Sequence, residues 1–160
     1  METAVFGAGC FWGVESFFRE VAGVIDAVCG YAGGTVPNPS YKQVCNGSTG
    51  HAEVVEVTYD PVKVSYDRLL DVYFANHDPT TLNRQGPDAG TQYRSVIFAK
   101  NPEQEQKARQ KIHQLTEAKR LKRPIVTAVE PFRNFYRAEE YHQRYFEKNG
   151  LPSCHVRMPE

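Results

Sequence analysis

Residues 4–23, AVFGAGCFWGVESFFREVAG, combine a short apolar run with a helical pattern, and this pair decides how the rest of the chain is interpreted. The first five residues are apolar or glycine, which is typical of a buried strand. From Cys10 onward the apolar residues recur at helical spacing, and Gly23 ends the segment. Gly7 and Gly9 allow a sharp turn between the predicted strand and the predicted helix.

Further strands and helices follow this first pair. The run VVEVTY at residues 54–59 is rich in β-branched residues and gives the clearest strand. Asn101, Pro102 and Glu103 form a typical helix start, with a capping residue before proline and an acid in the first turn. The other predictions are strands over Val24–Cys29, Tyr93–Phe98 and Ile125–Val129, helices between Leu69 and His77 and over Ala138–Lys148, and loops over Gly30–Ser40 and Asp78–Gly90.

The order of these elements predicts an α+β fold. The first six run β-α-β-β-α-β, which is typical of a ferredoxin-like split βαβ core, a two-layer α/β sandwich with helices on one face of the sheet. Extra C-terminal elements and an irregular tail follow. The chain has 160 residues, 41% of them hydrophobic and 24% charged, so we expect a single domain over residues 1–160.

The charge balance bears on the partners that the chain can attract. Nineteen basic residues balance nineteen acidic ones, so neither nucleic acid nor a membrane is an expected partner. No apolar run approaches the roughly 20 residues of a membrane span, and the start, METAVFGAGC, lacks the features of a signal peptide. We therefore expect a cytoplasmic protein.

Four cysteines, at positions 10, 29, 45 and 154, are spread along the chain without a C-x-x-C pair. In a cytosolic chain, separated cysteines favour thiol chemistry or burial over a disulfide framework. A zinc site needs clustered cysteine and histidine ligands, whereas Cys154 and His155 are merely adjacent. No metal site is expected.

Cys10 is the leading candidate for chemistry because it follows Gly9 at the junction of strand and helix. At a helix N-terminus the backbone N–H groups are unpaired and the dipole is positive, so a thiol there ionises more easily than a free cysteine. The thiolate is the nucleophilic form. The alternative is a small apolar side chain packed beneath the helix.

Aromatic residues follow this cysteine directly. Phe11 and Trp12 occupy successive positions on the first helical turn, so they cannot both face the same core. At least one of them should flank Cys10 and form an apolar wall for a small alkyl group. Phe18 lies at core spacing and is predicted to pack inside.

Glu53 lies at the mouth of the strand at residues 54–59 and is a candidate general acid. A carboxyl group half-buried beside apolar walls has a raised pKa and can stay protonated. The alternative is an exposed glutamate at the strand edge, because acids are seldom buried. Glu56 is expected to be exposed, and His51 is expected to bond to backbone in a turn.

Loop residues supply further polar groups that could border one cleft: Tyr41, Asp88, Tyr93 and Arg94. Tyrosine offers an O–H donor without charge, which suits a reaction that develops negative charge on a substrate oxygen. Cys154 follows the last predicted helix, where a mobile thiol could reach another cysteine. Its alternative is an incidental exposed thiol.

Several runs of the sequence resemble the A-type peptide methionine sulfoxide reductases, nearly from end to end. GCFWGVE at residues 9–15 matches that family's nucleophile motif without a gap, and GHAEV at residues 50–54 matches its acid motif. The other matching runs are GYAGG at 30–34, HDPT at 77–80, NRQG at 83–86 with Asp88, QYRS at 92–95 and AEEYHQ at 138–143.

The resemblance implies an oxidoreductase that reduces methionine S-sulfoxide, free or in oxidised proteins, to methionine. Cys10 would attack the sulfoxide sulfur and become a sulfenic acid, and Glu53 would share a proton with the sulfoxide oxygen. The other implied roles are hydrogen bonds to that oxygen from Tyr41 and Tyr93, a polar network held by Asp88, and a methyl pocket enclosed by Phe11 and Trp12.

The resemblance also implies how Cys10 is regenerated. The family usually resolves the sulfenic acid with cysteines of a glycine-rich tail, whereas this tail has one cysteine, Cys154, and no glycine run. Cys154 is the implied disulfide partner, because Cys29 and Cys45 lie on or near predicted strands and are expected to be buried. Cys45 stays an alternative. Thioredoxin would reduce the disulfide, and no metal or organic cofactor is implied.

Two other functions remain open on the residues alone. A Cys–His hydrolase would activate Cys10 through a histidine. A reader of oxidised methionine would bind its ligand without turnover. The presence of Cys10, Glu53 and both tyrosines favours catalysis over the second alternative.

Overall fold

The computed structural model describes residues 1–119, 121–145 and 148. The predicted resolving role of Cys154 and the irregular tail therefore fall outside the described residues. Within those residues, no helix is both long enough and apolar enough to cross a membrane.

The described part of the chain contains eight strands, four α-helices and two short 3-10 helices. The strands are β1 (Glu2–Ala8), β2 (Val24–Ala32), β3 (Ala52–Tyr59), β4 (Arg84–Gln85), β5 (Asp88–Ala89), β6 (Ser95–Ala99), β7 (Ala128–Pro131) and β8 (Tyr136–Arg137). The α-helices are α1 (Phe11–Arg19), α2 (Tyr41–Cys45), α3 (Tyr66–Ala75) and α4 (Pro102–Glu117). Short 3-10 helices cover Thr91–Tyr93 and Glu140–His142.

Six strands form one sheet in the order β7-β6-β1-β3-β2-β8. Neighbouring strands are antiparallel, except that β6 and β7 are parallel. The chain therefore has a mixed α/β architecture with a central, mostly antiparallel sheet. Because β1 lies between β3 and β6, the turn that follows β1 emerges from the middle of the sheet.

The two faces of the sheet carry separate apolar clusters. Phe6 on β1 faces the helices, and its ring centroid lies 4.9 Å from that of Phe18 on α1 and 5.2 Å from that of Tyr73 on α3. The preceding residue, Val5, belongs to the apolar cluster on the other face of the sheet, and the loop residue Phe132 packs against this cluster. This alternation is the normal side-chain pattern of a strand buried on both faces. The predicted core position of Phe18 is confirmed.

Two predicted strands begin later than expected. β6 starts at Ser95, because the three residues that end at Tyr93 form a 3-10 helix. β7 starts at Ala128 rather than Ile125. Val126 donates its N–H to the Pro79 carbonyl at 2.8 Å, so this part of the chain is bonded to a loop and not to the sheet.

The predicted helix over Ala138–Lys148 is wrong as a continuous element. Between Ala138 and Arg144 the backbone forms only the short 3-10 helix Glu140–His142, and Arg144 has a left-handed φ of 53°, which interrupts helical backbone. Tyr145 and Lys148 are helical again. The side chain of Gln143 bonds to the backbone N–H and carbonyl of Cys29 at 2.9 and 3.0 Å. Tertiary contacts with β2 therefore outweigh the helical spacing of the sequence.

Two elements lie where the sequence predicted neither a helix nor a strand. α2 begins with a capping box, in which Ser40 accepts the N–H of Gln43 at 3.2 Å and the Gln43 side chain accepts the N–H of Ser40 at 2.9 Å. The β4–β5 hairpin lies within the predicted loop Asp78–Gly90. Both elements are short, so neither produces a clear periodic pattern in the sequence.

Candidate active site

Cys10 is the N-cap residue of α1, at the central end of β1. Gly9 has a φ of 89°, a left-handed conformation that favours glycine and turns the chain from strand to helix. Cys10 is half-buried. The fully buried place beneath α1 belongs instead to Cys29, whose thiol donates to the Phe11 carbonyl at 3.6 Å. The geometry therefore favours the accessible-thiol interpretation of Cys10 over the packing alternative.

Glu53 is buried against the same helix terminus. It lies on β3 opposite Tyr31 of β2, and only 1% of its surface is exposed. One carboxyl oxygen accepts the Phe11 N–H at 3.2 Å, so it pairs with one of the open donors of the first turn of α1. The other oxygen is buried without a hydrogen-bond partner among the described residues. The alternative of an exposed strand-edge glutamate is wrong, because β2 and α1 cover this end of β3.

The protonation state of Glu53 follows from its surroundings. Burial raises the pKa of Glu53 to about 8. The hydrogen bond from Phe11 lowers the pKa of Glu53, whereas the nearby charge of Asp88 raises this pKa further. Because this pKa lies above 7, the carboxyl group is protonated at neutral pH, as a general acid must be.

Two phenols lie within electrostatic reach of Glu53. Tyr41 begins α2, and Tyr93 ends the 3-10 helix that precedes β6. Burial is the main cause that raises the pKa of both tyrosines above that of a free phenol, and the charge of Glu53 acts in the same direction. Both hydroxyl groups are therefore neutral hydrogen-bond donors at physiological pH.

Cys45 lies at the end of α2 and is exposed, so the expectation that it is buried is wrong. It belongs to a short helix whose C-terminal end faces solvent rather than to a strand of the sheet. The hydroxyl of Tyr41, one helical turn earlier, donates a hydrogen bond to its sulfur. Partial burial of the sulfur raises the pKa of the thiol, although the residue as a whole is exposed.

Asp88 and Arg94 have different positions relative to this cluster. Asp88 on β5 is half-buried, and its charge raises the pKa values of Glu53 and Tyr93. The guanidinium group of Arg94 donates to the carbonyl of Gly50 at 3.0 Å. The structure thus brings Asp88 to the site, whereas Arg94 ties the loop before β3 to the segment before β6.

Phe11 and Trp12 differ in exposure. Phe11 is fully buried, and its ring stacks with that of Tyr41 at a centroid distance of 6.4 Å. Trp12 is only half-buried, and its ring stacks on Tyr145 at 3.7 Å. The prediction that the two rings cannot face the same core is wrong, because Trp12 packs against the cluster that contains Phe11 and both rings lie beside His142.

The segment that precedes the tail makes contacts that the sequence did not reveal. Glu139 accepts the Tyr31 hydroxyl at 2.8 Å and the Tyr41 backbone N–H at 3.0 Å. His142 is fully buried, and its Nδ1 accepts the indole N–H of Trp12 at 3.0 Å. The available signal was the run AEEYHQ, but these partners lie between 98 and 130 positions away along the chain.

Other polar residues have structural roles. His51 accepts the N–H of Gly34 at 3.0 Å and donates to the carbonyl of Val36 at 2.7 Å, so its predicted bonding to backbone is confirmed. Glu56 is half-buried, contrary to prediction, because inner strand β3 directs it to an ion pair with Lys100 at 2.9 Å. Among the described residues, no group of three or more His, Cys, Asp or Glu side chains could hold a metal ion.

A half-buried thiol at a helix N-terminus, a protonated carboxyl group and two neutral phenols define a candidate thiol enzyme for a polar, oxygen-bearing substrate. A family model described as peptide methionine sulfoxide reductase matches residues 2–160. The chain belongs to this family.

Individual relatives agree with this assignment. The peptide methionine sulfoxide reductase MsrA of Methanoculleus marisnigri is 60% identical over 96% of this chain and 94% of its own. The crystal structure of Mxr1 from Saccharomyces cerevisiae in reduced form has a TM-score of 0.90, with 38% identity over 99% of this chain and 92% of that chain. The structure of Mxr1 in complex with Trx2 has a TM-score of 0.67, with 26% identity over 99% of this chain and 90% of that chain.

Proposed function

We propose that this chain is a peptide-methionine (S)-S-oxide reductase, which reduces methionine S-sulfoxide, free or in oxidised proteins, to methionine. The observation that carries the proposal is the buried carboxyl group of Glu53, protonated at neutral pH because its pKa is about 8. Such an acid can give a proton to a sulfoxide oxygen and make that oxygen a better leaving group. Membership of the reductase family supports the same substrate.

The reduction step moves one oxygen atom, in net terms, from the substrate to the protein. Cys10 attacks the sulfoxide sulfur while Glu53 protonates the sulfoxide oxygen. The attack forms a bond between the two sulfurs. The S–O bond then breaks as the OH group passes to the Cys10 sulfur, and the S–S bond breaks with its electron pair going to the substrate sulfur, which gives methionine and a Cys10 sulfenic acid. The N-terminal position of Cys10 on α1 supports this role, because the positive end of the helix dipole favours a thiolate.

Tyr41 and Tyr93 hold the sulfoxide oxygen during this step. Both are neutral donors beside Glu53. On substrate binding, Tyr41 exchanges its hydrogen bond to Cys45 for one to the substrate oxygen. Asp88 holds the polar network, and its negative charge helps to keep the proton on Glu53 until the reaction begins.

Phe11 and Trp12 enclose the substrate methyl group. An apolar wall on one side and O–H donors on the other distinguish the two epimers at sulfur. In the S epimer the methyl group meets the wall while the oxygen meets the donors. In the R epimer one of these groups is misplaced, because the oxygen and the lone pair on sulfur are exchanged.

Cys154, which lies outside the described residues, resolves the sulfenic acid. Its thiol attacks the Cys10 sulfur, a disulfide forms and water leaves. Cys29 is poorly suited to this step, because burial raises the pKa of its thiol well above the ordinary value. Cys45 is the alternative, since it is exposed and hydrogen-bonded to Tyr41.

Thioredoxin returns the disulfide to two thiols. The likeness between this chain and yeast Mxr1, whose structure is known in complex with Trx2, supports this partner. The thiols supply both electrons of each cycle, so the proposed reaction requires no metal or organic cofactor.

Three further assignments concern the whole chain. Residues 1–160 form one domain, which a single family match over residues 2–160 supports. The strand order β6-β1-β3-β2 supports a ferredoxin-like class for the core. A cytoplasmic location suits an enzyme whose three described cysteines are not in disulfides, because the cytosol keeps thiols reduced.

Single-turnover reduction by prereduced protein tests the proposed function. The S and R epimers of N-acetylmethionine sulfoxide are mixed separately with the protein, and the N-acetylmethionine product and the remaining thiols are counted. The expected result is product from the S epimer alone, with the loss of two thiols for each molecule formed. No product from the S epimer would refute the proposal.

A further inference from the structure

His142 lies among the side chains that are proposed to enclose the substrate, although it has no role in the scheme above. It is fully buried, and its ring centroid lies 5.0 Å from that of Phe11, 5.6 Å from that of Trp12 and 4.5 Å from that of Tyr41. A polar ring among three aromatic side chains needs a reason beyond packing, since burial of an imidazole is costly unless it is hydrogen-bonded.

The bond to Trp12 fixes the tautomer of His142. The indole N–H is a donor only, so Nδ1, at 3.0 Å, must be an unprotonated acceptor and the ring proton must lie on Nε2. Nε2 is buried without a hydrogen-bond partner among the residues that the structure describes. Burial lowers the pKa of His142, although the charge of Glu139 acts in the opposite direction. The imidazole is therefore neutral at pH 7.

We propose that His142 is a positioning residue, whose neutral imidazole holds the Trp12 indole in the orientation that walls the substrate methyl group. The indole also stacks on Tyr145, with ring planes only 7° apart. Stacked rings can slide and rotate in their planes at little cost. The directional hydrogen bond to Nδ1 removes this freedom. The inference rests on the proposed function, because it concerns the methyl wall of that site.

The same bond makes the orientation of Trp12 sensitive to acid. Protonation of His142 places a hydrogen on Nδ1, which then no longer accepts the indole N–H. The titratable groups around the imidazole are Tyr41 on α2 and Glu139 and Tyr141 on its own segment, while α1 presents aromatic rings. The pKa values of both tyrosines are raised and that of Glu139 is lowered, so these groups do not titrate between about pH 5 and 7.

Fluorescence can follow this bond directly, because Trp12 is the only tryptophan in the chain. His142→Phe keeps a planar ring but removes the acceptor, whereas His142→Gln offers a side-chain oxygen in its place. At pH 7 we expect His142→Phe to shift the Trp12 emission and to increase its quenching by acrylamide, with His142→Gln close to wild type. Wild-type emission should also change as the pH falls below 7 and His142 takes up a proton, and His142→Phe should lack this change.

Steady-state reduction with dithiothreitol supplies the second readout. We expect His142→Phe to raise the KM for the S-sulfoxide about 3- to 10-fold, the effect of one lost hydrogen bond, with a smaller change in kcat. His142→Gln should recover most of the loss. His113→Phe, at an exposed position on α4, is the matched control and should leave both constants unchanged.

Three outcomes would overturn the role of His142. The first is wild-type emission, quenching and KM in His142→Phe. The second is an equal rise in KM in His142→Phe and His142→Gln, which would show that the His142 side chain only fills space. The third, which needs no variant and stays decisive if His142→Phe does not fold, is constant wild-type emission across the pH range in which NMR shows His142 to become protonated, with the fold intact. Failure of the wild type to reduce sulfoxide would instead refute the proposed function, while the fluorescence would still test the bond.

Discussion

The proposed chemistry depends most on the environment of one carboxyl group. Glu53 is buried at the junction of β3 and α1, and one of its oxygens has no hydrogen-bond partner among the described residues. Burial without a compensating partner disfavours the carboxylate, so the proton stays in place at neutral pH. The bond from the Phe11 N–H to the other oxygen orients the group relative to the residue that follows Cys10.

Glu53→Gln is predicted to lower the single-turnover rate of sulfoxide reduction by about 10²- to 10⁴-fold, because the amide keeps the shape of the side chain but cannot donate an acidic proton. Rapid-quench measurement of methionine formation at pH 7 gives the rate. Glu56→Gln is the matched control, since Glu56 lies on the same strand in an ion pair with Lys100. A rate for Glu53→Gln within about threefold of wild type would rule out the general-acid role.

The pH dependence of stability gives an independent measure of the same group. Its pKa is raised from 4.5 to about 8 in the folded protein, so between these values the folded state binds more protons than the unfolded state. The contribution of Glu53 to the free energy of unfolding therefore falls as the pH rises through this window and levels off above about pH 8. Denaturant titrations of wild type and Glu53→Gln between pH 5 and 9 measure this difference. Parallel curves for the two proteins would contradict the raised pKa.

At this scale the sequence revealed residue chemistry better than residue environment. Cys10 could be found because its special position depends on adjacent residues, a glycine turn and a helix start. The deep burial of Glu53 could not be predicted from the sequence, because β2 and α1 produce it and acids are exposed far more often than buried. The roles of Glu139 and His142 depend on partners distant in the sequence, so local pattern gave no indication of them.

Among the elements, α2 is the one whose placement needs most support. It spans five residues, fewer than an isolated helix needs for stability. The capping box at Ser40 fixes its first turn, and Glu139 accepts the N–H of Tyr41 while it also accepts the hydroxyl of Tyr31 on β2. One carboxylate therefore ties α2 to the sheet. The tie joins residues 98 positions apart, so local sequence pattern did not reveal it.

Glu139→Ala is predicted to reduce the rate of sulfoxide reduction roughly tenfold, because Tyr41 loses the charge-assisted bond that holds its backbone. Glu139→Gln should lie between this variant and wild type, since its single oxygen can accept one of the two bonds. Glu140→Ala is the control, as the neighbouring Glu140 pairs with Arg137 at the surface. Equal single-turnover rates in Glu139→Ala and Glu140→Ala would show that the tie to α2 is dispensable.

At the scale of the whole molecule, the order of the strands in the sheet brings the residues of the site together. β1 and β3 are antiparallel neighbours at the centre of the sheet. Cys10, which follows β1, and Glu53, at the start of β3, therefore lie at the same end of these strands. The order of strands and helices along the chain anticipated this mixed architecture. It did not anticipate β8, a strand of only two residues that pairs with the edge of β2. So short a strand has no alternation to recognise.

Turnover as a whole requires the proposed disulfide. Cys154→Ser is predicted to release one equivalent of methionine from the S-sulfoxide but to abolish cycling with thioredoxin and its reductase. Cys45→Ser is the control and should cycle at a rate near wild type. Full cycling by Cys154→Ser, together with loss of cycling in Cys45→Ser, would transfer the resolving role to Cys45.

The most direct test of the central claim is the oxidation state of Cys10 after one turnover. Prereduced Cys154→Ser is mixed with one equivalent of methionine S-sulfoxide and then with dimedone, which traps sulfenic acids, and the labelled peptide is identified by mass spectrometry. We expect one dimedone adduct on Cys10 for each methionine released. Methionine formed while Cys10 remains an unmodified thiol would contradict the central claim.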